Sequence, residues 1–149
     1  MLIRTTAALA GAALLLAGSA IASAAGTATI VKSSGDTKIY DPVRIHMIGD
    51  SSVRIDSADG RGTLTIVHAA CSFSGDLRRC LPYAVTLKQR GVTHPIEVER
   101  GTLYLNATDA ALPLPHSSMK VPPHSIMLGL RTQRGTSISV TGRVDGASQ

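Results

Sequence analysis

Downstream of its first 25 residues the chain alternates between apolar and polar positions with a period of two. Val43, Ile45 and Met47 alternate with Arg44 and His46; Val53 and Ile55 with Arg54 and Asp56; Leu64 and Ile66 with Thr63 and Thr65. The scheme recurs at Val85/Leu87, Ile96/Val98, Leu103/Leu105, Ile126/Leu128/Leu130 and Ile138/Val140. A strand with one dry and one wet face belongs to an antiparallel sheet. Two further strands are predicted near residues 28–31 and 37–40. Gly, Pro, Asp and Ser bound each run. Ser57-Ala58-Asp59-Gly60 and Arg100-Gly101 are predicted to be chain reversals, because Gly supplies the positive φ of tight hairpins. Arg-Gly-Thr at 61–63, 100–102 and 134–136 reads as one turn used three times, each ahead of a strand. About eight or nine such strands predict an all-β domain, either an antiparallel sandwich (immunoglobulin-like or jelly-roll-like) or a small barrel. Alternation is common to both.

Two stretches depart from this pattern. Residues 110–124 hold Pro113, Pro115, Pro122 and Pro123, which lack the N–H a ladder needs. They predict a long, stiff surface crossing, the kind of loop where binding residues concentrate. Residues 145–149 are expected to fray. At the other end, Arg4 precedes an apolar run at 7–17, and Ala22-Ser23-Ala24 follows. This is the order of a secretory leader with a small-residue cleavage site. Residues 1–24 are expected to be removed, leaving a single domain at 25–149 in the periplasm or outside the cell. An uncleaved anchor is the rival, but the run is rich in Ala, which adds little insertion energy, and no basic cluster follows it. Leu16-Ala17-Gly18-Ser19 resembles a bacterial lipoprotein box in which Ser19 stands where the acylated Cys would be, so a soluble product with no membrane span is expected.

Composition narrows the partners. The 149 residues are 44% hydrophobic and 17% charged, as in a globular chain, with a formal net charge of +5. A scattered positive charge favours anionic envelope components such as phosphorylated glycolipids, or another protein. Nucleic acid is not expected: there is no Trp and one Phe to stack on bases. Cys71 and Cys80 are the two cysteines. In an exported chain such a pair is most simply a disulfide. With Ser74-Gly75-Asp76 as a turn between two strands, it would staple a hairpin and contribute roughly 2–3 kcal/mol on the chain-entropy account. A redox-active pair would usually be spaced two residues apart at a helix start.

Candidate chemistry is sparse. Gly49-Asp50-Ser51 resembles the nucleophile block of the GDSL-type hydrolases over three residues. That family implies a doubly wound α/β fold and an Asp-x-x-His base, and none of the five histidines here follows an Asp at that spacing. The segment reads as a turn between two strands. His116-Ser117-Ser118-Met119 and His124-Ser125-Ile126-Met127 pair imidazole with thioether, ligands that suit copper, and His46-Met47 adds another set. Residues 124–130 are similar to the C-terminal His-x-Met motif of periplasmic copper chaperones with an immunoglobulin-like fold. Here Met127 lies three positions after His124, so a regular strand turns it to the opposite face. His68, on the strand before the cysteines, is expected to be solvated. Asn106-Ala107-Thr108 fits a glycosylation sequon.

The expected function is that of an exported, non-catalytic binding or envelope-associated module with no cofactor. Its expected contact surface is the loop bearing His116 and His124 together with the Arg78-Arg79 turn. The alternatives are copper handling by His116, Met119, His124 and Met127, and a structural subunit that pairs strand edges with copies of itself.

Overall fold

The computed structural model describes residues 25–146, so the leader expected at 1–24 and the last three residues lie outside the described part. The described chain forms eleven strands: β1 (Ala25–Val31), β2 (Thr37–Ile48), β3 (Ser52–Ser57), β4 (Gly62–Ser74), β5 (Leu77–Gln89), β6 (Val92–Ile96), β7 (Val98–Asn106), β8 (Leu112–Pro113), β9 (Lys120–Val121), β10 (Ser125–Thr132) and β11 (Ser137–Arg143). Strand order is β4-β3-β2-β1-β11-β10-β7-β5, and β4 pairs with β5 to close the ring. The result is an eight-strand antiparallel barrel with β6 as an extra strand. Around the ring each strand lies beside its neighbours in sequence, an up-and-down meander. Of the two architectures left open by the alternation, the barrel is the one formed.

The apolar half of the alternation fills the interior. Ile45, Val53, Ile66, Leu103, Ile126 and Val140 are fully buried, and Val43, Ile55, Val85, Leu128, Leu130 and Ile138 lie almost as deep. Eight strands enclose a space that side chains of this size can fill. Where β1 meets β11, Gly26 faces Gly142. Ile45 packs so closely across the pair that a Cβ would lie 2.8 Å from its Cδ1 at Gly26 and 2.9 Å at Gly142.

Several local expectations are corrected. The strands predicted at 37–40 and 43–47 are one strand, β2, with the cis Asp41–Pro42 peptide at a bulge opposite β1. Arg100-Gly101 is not a reversal but the middle of β7. Gly101 lets Leu130 of β10 pack where a Cβ would stand, a Cβ that would also lie 3.0 Å from the Gly129 carbonyl. Segment 110–124 is not strandless: β8 and β9 make a small hairpin, and Val121 is fully buried. Asp145 is not frayed. Its N–H donates to the Ile45 carbonyl at 2.7 Å, and its carboxylate meets the Arg44 guanidinium at 2.9 Å.

One edge of β5 is taken along its length by β4. The other edge pairs with β6 at Val85–Gln89 and with β7 at Arg78–Cys80. Between these ladders, around Leu81–Ala84, β5 and β7 part. The outer edge of β6 stays open and carries Pro95, which has no N–H to offer an incoming strand. No helix among the described residues is long and apolar enough to cross a membrane.

Candidate functional site

One end of the barrel collects the 49–51 turn, the β4–β5 turn, the 107–124 segment, the start of β1 and the end of β11. Asn106, at the last position of β7, fastens this end. Its side chain is buried, and Nδ2 donates to the carbonyls of Ala110 (2.8 Å), Val121 (3.0 Å) and Pro122 (3.0 Å). Its Oδ1 accepts from the Thr108 N–H (2.9 Å) and hydroxyl (2.7 Å). A residue matching a sequon is thus an internal clasp, with its amide nitrogen already committed.

The clasp frames a cavity of about 340 Å³ at the barrel mouth. Met47, Phe73, Leu105, Ala107 and Val144 supply an apolar wall, and Asp76, Arg78, Asn106, His124 and Ser125 supply polar groups. Barrel mouths of this mixed character are common ligand sites. Phe73, the sole Phe of the chain, is 69% exposed here. Leaving the largest apolar side chain in water forgoes roughly 1.5–3 kcal/mol of burial. Arg78 donates from Nη2 to the Asp50 carbonyl at 3.4 Å, and His124 Nε2 meets Asp109 Oδ1 at 2.5 Å.

Two compensating bulges aim these residues. Between β4 and β5 the register slips at Val67/His68 and back at Ala69/Cys71, leaving Tyr83 and Ala70 without partners. Ala70 takes the left-handed conformation (φ 50°), as the bulged residue of one bulge class does. Directly opposite residues share a face, so Cys71 with Cys80 and Phe73 with Arg78 turn together toward the mouth. The expected disulfide joins Cys71 to Cys80, with Cα atoms 4.1 Å apart. His68, expected in solvent, is buried instead, with Nδ1 3.5 Å from Cys71 Sγ and Nε2 without a hydrogen-bond partner. Burial, with the Arg78 charge second, lowers its pKa below the ordinary 6.5.

The other sequence-derived candidates scatter. Arg79 points to the outer wall, where it faces Tyr104, which in turn faces Met127. Met119, more than half exposed, and Met127 border the same outer groove. His116 is exposed in the β8–β9 turn, while His124 lines the mouth. The four His and Met side chains are therefore divided between two surfaces. His46 lies between Asp56 (3.3 Å) and Asp145 (3.7 Å), apart from its neighbour Met47, which lines the mouth. Of the proposed contact surface, the structure brings together Arg78 and His124. Sequence reasoning did not single out Phe73. The signal was present: the one Phe and the one Arg-Arg pair share a single hairpin. Comparison with family models, with curated proteins and with solved structures finds no match.

Proposed function

We propose that this protein is an exported, non-catalytic binding module whose ligand enters the mouth of the barrel. The ligand class is a small amphipathic molecule with an apolar body and one anionic group. The observation that carries the reading is the cavity itself, which joins exposed Phe73 and half-buried Met47 to the Arg78 guanidinium within one framed space. An apolar wall binds by area, and a guanidinium at its rim orients an anion through charge-assisted hydrogen bonds. Asp76 at the same rim restricts where that anion sits. Export is supported by the leader pattern and by a disulfide suited to an oxidising compartment.

The test uses 8-anilinonaphthalene-1-sulfonate, an apolar ring system with one sulfonate, followed by fluorescence. Saturable binding at one site is expected, weakened about tenfold by Arg78→Gln and by Phe73→Ser. Tyr83→Ser, on the outer wall, should leave it unchanged. Non-saturable binding, or binding indifferent to both mouth substitutions, would overturn the proposal.

A further inference from the structure

Beneath the mouth, three donor atoms meet. The side chains of His68, Cys71 and Cys80 bring one nitrogen and two sulfurs within 4.8 Å of one another. Nothing else in the described structure claims the imidazole: Nδ1 faces a sulfur, and Nε2 is buried with no hydrogen-bond partner. The nitrogen placed to ligate is Nδ1, which meets no group but the Cys71 sulfur at 3.5 Å. Two thiolates and an imidazole are the donor set of thiophilic d10 cations, and three protein ligands leave a fourth position open. While the sulfurs are bonded to each other they are not thiolates and do not serve. Cys71 is exposed and Cys80 is fully buried, so a reductant and a cation both reach the group from the Cys71 side.

We propose that His68, Cys71 and Cys80 form a redox-gated site that takes up one Zn²⁺ or Cu⁺ ion once the Cys71–Cys80 bond is reduced. The reductant is a dithiol. Its first thiolate attacks Cys71 Sγ and expels Cys80 as a thiolate; its second thiol then releases Cys71 and leaves as a disulfide. Two electrons and two protons pass to the cysteines, and the incoming cation displaces both protons. The inference is independent of the mouth ligand, since the sulfonate probe reports Phe73 and Arg78 in the oxidised protein.

The experiment reduces the protein anaerobically with a phosphine and titrates it with Co²⁺, as the spectroscopic stand-in for Zn²⁺, and separately with Cu⁺. One equivalent should bind, with a thiolate-to-cobalt charge-transfer band and tetrahedral d–d bands. Oxidised protein and Cys71→Ser should show neither. His68→Ala should weaken binding at least about tenfold. Should reduction unfold the chain, adding Zn²⁺ should restore the native far-UV spectrum, as metal affinity then becomes folding energy. Failure of reduced protein to bind stoichiometrically, failure of Zn²⁺ to restore an unfolded chain, or equal affinity in His68→Ala would each overturn the proposal and leave the disulfide a plain staple.

Discussion

A histidine is followed three residues later by a sulfur side chain at His68/Cys71, at His116/Met119 in the β8–β9 hairpin, and at His124/Met127; the first and last of these run into the barrel wall. The fold treats these two stretches in opposite ways. In β4 the bulge at Ala70 absorbs one residue of the spacing, so His68 and Cys71 end on the same side, 3.5 Å apart. In β10 the ladder is regular through Met127, which faces Tyr104 and Thr141 on the outer wall while Ile126 and Leu128 fill the core. His124 is left at the mouth. Spacing alone therefore does not decide which side chains meet; the path of the backbone between them does, a bulge at Ala70 in one case and a left-handed turn at His124 (φ 51°) ahead of β10 in the other.

The largest effect expected bears on the second stretch. Asn106→Ala strands three carbonyls and the Thr108 N–H, costing about 3 kcal/mol. Denaturant unfolding should show the loss, and hydrogen exchange should rise across 107–124. Next comes the first stretch: replacing Cys71 and Cys80 together by Ala should cost roughly 2–3 kcal/mol, read from the denaturant midpoint. Ala70 tests the bulge directly. A β-branched side chain at φ 50° is strained, so Ala70→Val should cost about 1–2 kcal/mol, whereas Ala70→Gly should stay close to neutral in the same assay. For His68, the folded-state pKa lies below the unfolded-state value of about 6.5. Below that pH the unfolded chain binds the proton and the folded chain does not, so stability is full above 6.5 and declines as pH falls beneath it. His68→Phe should flatten that slope in pH-dependent thermal melts. The smallest effect belongs to His124→Ala. It removes a pairing with the exposed Asp109 and should cost no more than about 1 kcal/mol.

What was legible follows from the same distinction. Alternation marked β3, β10 and β11 because regular strands carry period two in their residues. The hairpin disulfide was legible because both cysteines flank a turn. Closure into a barrel was not, because a sandwich carries the same alternation and the bulges at Pro42, Ala70 and Tyr83 shift phase without altering composition. Gly101 misled because glycine serves close approach as well as reversal, and only the tertiary position of Leu130 tells the two apart. His68 misled because its burial depends on the turn of the strand after Val67. Of the mouth, Arg78 and His124 were visible as charged and titratable groups. Phe73, legible as the one Phe on the hairpin of the one Arg-Arg pair, gained its meaning only once the fold left it exposed.

The meander has a consequence for how the molecule assembles. Most neighbouring strands around the ring join through short connections, so their pairing is a local event that forgives errors and can be retried. The pairing of Gly26 with Gly142 unites residues from opposite extremes of the described chain, and its loop-closure entropy is repaid only when the remaining hairpins already stand in place. On these grounds this suture is expected to be the last pairing of the ring to form.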